Sequence, residues 1–475
     1  MYKTLISYVN YWANSRESSI ALIDSSRSIS YGELKLELID IQKFLQSKGL
    51  KKGDTVAISG EKCINLVVIY LSSLGLGLNV VPVPFDKSFI KKTDQIIRFT
   101  DANYIINVYN DKFLITILDD SESKFEYKTS ISRIKEITNS LPIDIDDYNY
   151  FNLTSGTTGE VKATKTCNYQ IIYNATQLNI RFPLMEEDCY CCLFASDMHP
   201  HELFVRPLIA GAKSLLLTTK DLRNFKKQIS KNNVTQILAT PNAINSLLQL
   251  CDNPDDWENV KFVLTGGENV HINLRKKFFE LTNKKLTVAW GSTETNGIVI
   301  TLPEAYALNN MNTLGTPLPG YSVKVDPETN ELLIKGASCM RGYWRDNGPS
   351  PLTNDRYFKT NDMASIDENG IIHHQGRLNS VIKASGRKIS LFHLEDIIKQ
   401  ELSIKDCSLV YREETSILYT FVILPQGENN TNTKINNLLY ETISPIGFRV
   451  ITLEDFPRLS NGKINKRELM ESVLK

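Results

Sequence analysis

Apolar runs alternate with helical patterns along the first two thirds of the chain. The run "DTVAISG" precedes a helical pattern and then "NVVPVP", and the same order recurs from "KSLLLTT" through "VTQILAT" to "VKFVLTGG". A strand, a helix and another strand at this spacing give parallel strands joined by a crossover helix. Ser30 and Glu33 predict a capping box at the start of a helix that ends at Gly49. The sequence therefore predicts an α/β fold whose large N-terminal part consists of parallel α/β subdomains.

The pattern changes after about Thr313, where short β-like runs separated by turns predict antiparallel hairpins and a small β-barrel-like part. From about Ser380 a smaller α+β unit follows. It has a helix over "LFHLEDIIKQEL", strands over "DCSLVYRE" and "SILYTFVILP", a polar loop and a last helix. We therefore predict an N-terminal domain over residues 1–378 and a C-terminal domain over residues 379–475.

Charge and apolar pattern limit the possible partners. Of the 475 residues, 54 are Lys or Arg and 54 are Asp or Glu, so the net charge is zero and we expect no nucleic-acid partner. The most apolar stretch, Ile64–Pro84, is interrupted by Asn, Ser, Gly and Pro, which predicts a helix and a buried strand and no membrane span. The N-terminus has no apolar h-region and the eight cysteines include no CxxC pair. We therefore expect a cytoplasmic protein with buried, reduced thiols.

The stretch "LTSGTTGEVKAT", residues 153–164, combines two glycines, five hydroxyl side chains and one lysine. It is not a P-loop, because Gly156 and Gly159 are too close and Val161 separates Glu160 from Lys162. It does not match the Rossmann glycine pattern either. Its composition still suits a phosphate, since glycine frees backbone amides to face an anion and Ser, Thr and Lys donate to it. Taken alone, the stretch fits an exposed turn equally well.

A series of motifs gives the stretch a context. "SGTTGEVK" resembles the signature loop of the adenylate-forming superfamily, which includes acyl- and aryl-CoA ligases, peptide-synthetase adenylation domains and luciferases. Later segments resemble further motifs of this superfamily in the same order, namely "LTGGEN", "WGSTET", "LGTPLPG", "GYW", "KTNDMA", "GRLNSVIKASGRKIS" and "PRLSNGKINKREL". The resemblance covers nearly the whole chain.

The resemblance implies a reaction that uses ATP and Mg²⁺. A carboxylate attacks the α-phosphorus of Mg-ATP to form an acyl-adenylate and pyrophosphate, and a thiol then displaces AMP. Both reactants of the first step are anions, so the site must supply positive charge and fixed geometry. The resemblance also implies that the C-terminal domain is mobile and rotates about a hinge at Asn379 between the two steps, presenting the region around Lys383–Arg387.

Site residues follow from the matching positions. The resemblance implies that Lys463, Thr158 and Glu294 are catalytic and that Glu294 also binds Mg²⁺. Asp362 would accept hydrogen bonds from the ribose hydroxyls, and Asn361 replaces the usual glycine before it because Asn tolerates left-handed backbone. The residues implied to bind ATP or AMP are Thr154, Ser155, Gly156, Thr157, Gly159, Lys162, Gly266, Gly267, Glu268, Trp290, Gly291, Ser292, Thr293, Asp362 and Arg377.

The acid pocket is expected around "ASDMHPHELF" and "ATPNAIN". Its implied substrate-binding residues are Asp197, His199, His201, Pro241, Thr265 and Thr295. Asp197 could pair with a substrate ammonium, because "DMHPHELF" loosely parallels the peptide-synthetase pattern D-x-x-x-W-E-x-F. The match of "LFVRPLIAGA" to acyl- and aryl-activating members favours a substrate without an amino group. His199 and His201 have a metal-ligand spacing, but no third ligand is near, which favours a structural or gating role.

The thiol is expected in trans, since no carrier domain follows and no phosphopantetheine-attachment motif occurs. A separate acyl or peptidyl carrier protein is favoured, and free CoA is the alternative. An inactive homologue that only binds its ligands would have lost chemical positions, and these are intact. A luciferase-type oxygenase shares the first step, and only analysis of the products would exclude it.

Overall fold

The computed structural model describes residues 4–85, 90–118, 124–128, 148–155, 161–197, 199–218, 221–306, 308, 313–345, 350–384, 387–402, 404–424, 431–458 and 464–473. The chain forms two compact units. Unit 1 consists of Met1–Ser322 and Lys335–Phe358, and unit 2 of Val323–Ile334 and Lys359–Lys475. The domain boundary predicted after residue 378 stays a prediction, because compactness alone does not report which part of the chain moves.

The helices are α1 (Leu5–Ser15), α2 (Tyr31–Ser47), α3 (Ile64–Gly75), α4 (Ile90–Thr100), α5 (Asn168–Arg181), α6 (Val205–Ala210), α7 (Phe225–Asn232), α8 (Pro241–Leu250), α9 (Ile272–Thr282), α10 (Leu391–Glu401), α11 (Thr431–Ile443) and α12 (Lys466–Glu471). The strands are β1 (Ile20–Ile23), β2 (Ser28–Ser30), β3 (Thr55–Gly60), β4 (Asn79–Pro82), β5 (Tyr104–Val108), β6 (Lys112–Ile117), β7 (Lys124–Lys128), β8 (Tyr148–Ser155), β9 (Val161–Cys167), β10 (Cys189–Cys192), β11 (Lys213–Leu215), β12 (Gln236–Ala239), β13 (Phe262–Gly266), β14 (Leu286–Ser292), β15 (Gly297–Thr301), β16 (Thr313–Pro317), β17 (Ser322–Val325), β18 (Glu331–Lys335), β19 (Phe358–Ile366), β20 (Ile372–Arg377), β21 (Val381–Ala384), β22 (Arg387–Ser390), β23 (Asp406–Arg412), β24 (Ile417–Ile423) and β25 (Gly447–Thr452).

Unit 1 contains the predicted parallel α/β subdomains. One sheet has the order β7-β6-β5-β3-β4-β8-β9, in which β3 pairs in parallel with β4 and β5. In the other, β11, β10, β12, β13 and β14 are neighbours and pair in parallel. Their helices bury apolar side chains against the sheet, and Trp257 and Phe278 lie fully inside this core. The predicted α/β class is confirmed.

Local signals of the sequence match the start of α2. The Ser30 side chain accepts a hydrogen bond from the Glu33 backbone N–H, and the Glu33 carboxylate accepts one from the Ser30 N–H, as the capping-box pattern predicts. The apolar stretch Ile64–Pro84 forms α3 followed by the buried strand β4. In the described ranges no helix is long and apolar enough to cross a bilayer.

Parallel pairing places the carboxyl ends of the central strands at one edge of the sheet. Ala239 of β12 lies opposite Thr265 of β13, and Gly266 lies opposite Ala289 of β14. The loops that follow these strands are thus brought together, and loops at the carboxyl ends of parallel strands are where ligands bind in open α/β sheets.

Unit 2 has its own apolar core. In it β23 pairs antiparallel with β24, β25 pairs in parallel with β24, and α10 and α11 contribute Leu394, Ile398 and Leu439. The prediction that the helix after the polar loop is the last one is wrong, since β25 and α12 follow α11. The predicted hairpin of β19 and β20 is present and antiparallel.

Candidate active site

The hairpin of β8 and β9 carries the stretch that the sequence predicts to bind phosphate. Thr154 lies opposite Lys162 and Ser155 opposite Val161, so the hairpin sets the two ends of the loop side by side. The loop itself lies outside the described residues, and the roles predicted for Gly156, Thr157, Thr158 and Gly159 stay predictions. The Lys162 ammonium lies 5.3 Å from the centre of the Tyr343 ring, within the range of a cation–π interaction.

Glu294 lies in the short 3₁₀ turn Thr293–Thr295, directly after β14. The turn is fixed by Ser292 and Thr295, whose side chains form reciprocal hydrogen bonds with each other's backbone N–H. The Tyr343 hydroxyl donates to Glu294 Oε1 at 2.7 Å, and the Met340 N–H donates to the Glu294 carbonyl at 2.7 Å. A half-buried carboxylate fits Mg²⁺, a hard cation that prefers oxygen ligands and needs one or two from the protein.

A buried amide joins the hairpin to this turn. Asn296 is fully buried and left-handed, with φ +56°. Its Oδ1 accepts hydrogen bonds from Asn152 of β8 and Thr166 of β9, and its Nδ2 donates to the Ser338 carbonyl at 2.6 Å. The strands that carry the phosphate loop are therefore connected, through one side chain, to the turn that carries Glu294.

Close backbone contact explains the glycines predicted for the adenine side. A Cβ on Gly266 would lie 2.1 Å from the Ala289 carbonyl oxygen, and one on Gly291 would lie 2.3 Å from the Gly297 carbonyl oxygen. Gly267 has φ +84°, which a side chain disfavours. Gly266 ends β13 and Gly267 follows it, while Trp290 and Gly291 lie in the last three residues of β14. The structure thus brings the segments predicted for the adenine side to one sheet edge.

The neighbouring predicted residues lie at the same edge. Thr265 is buried at the end of β13, and Pro241 is the first residue of α8, whose N-cap Thr240 accepts from the Ala243 N–H. Glu268 follows β13, and its Oε2 accepts from the Asn242 side chain at 3.4 Å.

The predicted acid segment contains two buried titratable neighbours. His201 is 4% exposed with Nδ1 3.3 Å from the Tyr150 hydroxyl, and burial, assisted by the nearby His199, lowers its pKa to about 3. Burial raises the pKa of Glu202 to about 7, although the Arg206 guanidinium opposes this. His201 is thus a neutral imidazole near pH 7, which suits a structural role.

His199 and Asp197 belong to the same segment and are half-buried. His199 adopts φ +50° and its Nε2 lies 3.5 Å from Thr293 Oγ1, which brings the acid segment to the Glu294 turn. The half-buried Asp197 is close enough to Tyr70 that its charge adds to the effect of burial in raising the pKa of that phenol. Within the described ranges no group of three or more His, Cys, Asp or Glu side chains could hold a metal, and the structural or gating role of His199 stays a prediction.

Unit 2 contains the predicted ribose site. Asp362 and Arg377 lie opposite each other on β19 and β20, with Arg377 Nε 2.9 Å from Asp362 Oδ1. His374 Nε2 is 3.6 Å from the same oxygen, a neighbour that sequence reasoning missed. Asn361 has φ +60° and its N–H donates to Glu331 Oε1 at 2.8 Å, so Asn does keep the left-handed turn that glycine would otherwise provide.

The predicted hinge and lysine lie further along unit 2. Asn379 is the middle residue of the 3₁₀ turn Leu378–Ser380, between β20 and β21. Lys463 lies outside the described residues, and its catalytic role stays a prediction. The residues on either side of its loop, Arg458 and Ile464, form an antiparallel bridge, and the Asn465 N–H donates to the Pro457 carbonyl at 2.7 Å.

Tyr343 and Asn296, like His374, are residues of the candidate site that sequence reasoning missed. The motif "GYW" marks the resemblance but assigns no role to Tyr343, and Asn296 is a single polar residue that follows the motif "WGSTET". The partners of these two residues named above lie 42 or more positions away along the chain, so no local pattern could have identified these contacts.

Comparison of the sequence with known proteins identifies the family to which the chain belongs. The sequence profile described as "AMP-binding enzyme" matches residues 9–344. Gramicidin S synthase 2 of Brevibacillus brevis is 26% identical over 95% of this chain, which spans 11% of that protein's length. The probable CoA ligase CCL5 of Humulus lupulus is 21% identical, over 97% of this chain and 91% of its own.

Solved structures share the fold. The o-succinylbenzoate CoA synthetase MenE of Bacillus subtilis superposes with a TM-score of 0.81 at 18% identity, over 97% of both chains. NpsA of Klebsiella oxytoca superposes with a TM-score of 0.79 at 21% identity, over the full length of both. Since the family profile matches well over half of its length, this chain belongs to the AMP-binding enzyme family.

Proposed function

We propose that this chain uses Mg-ATP to convert a carboxylic acid into an acyl-adenylate, with release of pyrophosphate, and then passes the acyl group to a thiol supplied in trans. The observation that carries the proposal is the meeting of the phosphate hairpin and the Glu294 turn at Tyr343 in unit 1. Family membership supports it. The solved neighbours add support, because MenE was captured with its acyl-adenylate and also with ATP and magnesium.

The charged residues of the site suit this reaction. Lys162 and the amides of its loop would bind the β- and γ-phosphates and stabilise the pyrophosphate as it leaves, with Thr158 donating from the same loop. Glu294 would hold Mg²⁺, which when bound neutralises phosphate charge. Asp362 would accept hydrogen bonds from the ribose hydroxyls, and Arg377 would orient the Asp362 carboxylate. Lys463 would neutralise the substrate carboxylate and the α-phosphate as the carboxylate oxygen approaches the α-phosphorus.

We propose an acyl or aryl acid as the substrate. The acid segment buries a neutral imidazole at His201 and, at Glu202, a carboxyl whose pKa of about 7 leaves it partly protonated near neutral pH. Neither group therefore supplies the full negative charge that a substrate ammonium would need. Two solved neighbours hold aryl adenylates or their analogues, an anthranilate CoA ligase with anthranoyl-AMP and NpsA with 3-hydroxyanthranilyl-AMSN.

An amino acid is the second candidate. Asp197 is a carboxylate in the same segment, and several relatives are peptide synthetases, gramicidin S synthase 2 and bacitracin synthase 1 among them. In that case Asp197 would pair with the substrate ammonium, and Asp197→Asn would weaken use of amino acids only.

The proposed acceptor is the phosphopantetheine thiol of a separate carrier protein, with free CoA as the alternative, since both peptide synthetases and CoA ligases are among the relatives. A reducing, cytoplasmic location is part of the proposal. All eight cysteines lie in the described ranges, seven of them are buried, and none is in a disulfide.

The test is acid-dependent ATP–pyrophosphate exchange over a panel of aryl, short acyl and amino acids. Lys463→Ala is expected to lower the exchange rate about 100- to 1000-fold, as loss of one preorganised donor does. The matched control is Lys434→Ala, an exposed lysine on α11 that should leave exchange unchanged. Wild-type protein that binds ATP but exchanges with no acid would favour the inactive binding homologue.

A further inference from the structure

Tyr343 contacts both charged partners of the proposed phosphate site. Its hydroxyl donates to Glu294 Oε1 at 2.7 Å, and its ring centre lies 5.3 Å from Lys162 Nζ. We propose that Tyr343 is a positioning residue, which orients the Glu294 carboxylate for Mg²⁺ through its hydroxyl and holds the Lys162 ammonium through its ring. This inference rests on the function proposed above and assigns a further residue to the same site.

The backbone around Tyr343 fixes where its ring lies. Tyr343 forms an antiparallel bridge with Thr164 of β9, and the Trp344 N–H donates to the Ala163 carbonyl at 2.7 Å. Three residues earlier, the Met340 N–H donates to the Glu294 carbonyl at 2.7 Å. The segment Met340–Trp344 is thus attached to β9 at one end and to the Glu294 turn at the other, so the half-buried Tyr343 side chain has a defined place between them.

The two contacts have separate chemical consequences. A phenol that donates to one carboxylate oxygen fixes the plane of the carboxylate and leaves the other oxygen for a cation. Groups that hydrogen-bond a metal ligand in this way typically change metal affinity or activity about 10- to 100-fold when they are removed. The ring face attracts an ammonium independently of the hydroxyl, an effect of about 0.5–1 kcal/mol at an exposed site, which corresponds to about 2- to 5-fold in affinity.

Two substitutions separate these effects. Tyr343→Phe keeps the ring and removes the hydroxyl, so the free Mg²⁺ needed for half-maximal activity is expected to rise about 10-fold, while the KM for ATP at saturating Mg²⁺ stays within about 2-fold. Tyr343→Leu removes the ring as well, and is expected to raise the KM for ATP a further 2- to 5-fold or so.

Tyr357 offers a matched control. Its hydroxyl lies 2.9 Å from Ser322 Oγ and the Lys335 ammonium lies 5.5 Å from its ring centre, so it makes the same two kinds of contact with partners outside the proposed site. Tyr357→Phe removes one phenol hydroxyl from unit 1 and should leave the Mg²⁺ dependence unchanged.

The experiment follows the rise in unfolding temperature that ATP causes, as free Mg²⁺ is varied without any acid, and then repeats the Mg²⁺ series by pyrophosphate exchange. In both measurements Tyr343→Phe should need about 10-fold more Mg²⁺ than the wild type needs. Tyr357→Phe should need the same Mg²⁺ concentration as the wild type. Equal Mg²⁺ requirements in all three proteins would overturn the role of Tyr343. Wild type that shows neither ATP stabilisation nor exchange would instead overturn the proposed function itself.

Discussion

Glutamine in place of Glu202 should make the stability of unit 1 rise more steeply with pH. Glu202 is 5% exposed and its pKa is about 7, raised by burial from the ordinary 4.5. Between these two values the folded state keeps a proton that the unfolded carboxyl has lost, so stability falls with rising pH by about 1.4 kcal/mol per pH unit. Glutamine does not titrate, so in Glu202→Gln this fall of stability with rising pH disappears.

The adjacent His201 acts in the opposite direction. Because burial lowers its pKa from 6.5 to about 3, the folded imidazole stays neutral in a range where the unfolded one takes up a proton. Stability therefore rises with pH between these values, again by about 1.4 kcal/mol per pH unit. The two contributions cancel between pH 4.5 and 6.5 in the wild type.

Each substitution exposes the contribution of the other residue. Relative to wild type, between about pH 5 and about pH 6.5, Glu202→Gln should gain roughly 2 kcal/mol of unfolding free energy and His201→Gln should lose roughly the same amount. The exposed Glu258→Gln is the control and should follow the wild type.

Urea unfolding followed by tryptophan fluorescence measures this in unit 1 alone. All four tryptophans belong to that unit, namely Trp12, Trp257, Trp290 and Trp344. Parallel pH dependences for wild type and both variants would mean that neither buried group changes its proton affinity on folding, contrary to the shifts described for Glu202 and His201.

Three further substitutions test the packing that shapes the site. Asn361→Gly should keep the KM for ATP within about 2-fold, whereas Asn361→Ala should raise it about 5-fold, since left-handed backbone costs alanine about 1 kcal/mol. Steady-state kinetics measure both KM values, and equal KM values for the two variants would contradict the role of the turn. Gly266→Ala places a Cβ 2.1 Å from the Ala289 carbonyl oxygen and should lower the unfolding free energy by about 1–3 kcal/mol in the fluorescence assay. An unchanged unfolding free energy would mean that β13 and β14 can move apart at this point without cost. Asn296→Ala removes the hydrogen bonds to three partners and should cost about 3 kcal/mol in the same assay, and a cost below about 1 kcal/mol would argue against the network.

Features that depend on neighbouring residues could be predicted from the sequence. The capping box at Ser30, the parallel strands between Lys213 and Gly266 and the left-handed turn at Asn361 all follow from short patterns whose physics is local. The segments predicted for the adenine side come together because β13 and β14 pair in parallel and so bring their carboxyl ends to one edge of the sheet.

Contacts between distant segments could not be predicted in this way. The hydrogen bond from Tyr343 to Glu294 and the amide contacts of Asn296 depend on how separate strands pack. The low pKa of His201 comes from burial by surrounding side chains, which its own sequence neighbourhood does not reveal. The strand β25 was missed because its sequence, "GFRVIT", is short and half polar and therefore gives no clear strand pattern. In the structure, pairing with β24 stabilises it as a strand.

Acyl-adenylate formation is measured by a single turnover with ATP labelled on the α-phosphate, the best acid of the exchange panel, and no thiol. We expect labelled acyl-adenylate and unlabelled pyrophosphate in equal amounts, with both lost in Glu294→Gln at limiting Mg²⁺. Labelled ADP with free phosphate, or no labelled adenylate from protein that binds both ATP and the acid, would contradict acyl-adenylate formation by this chain.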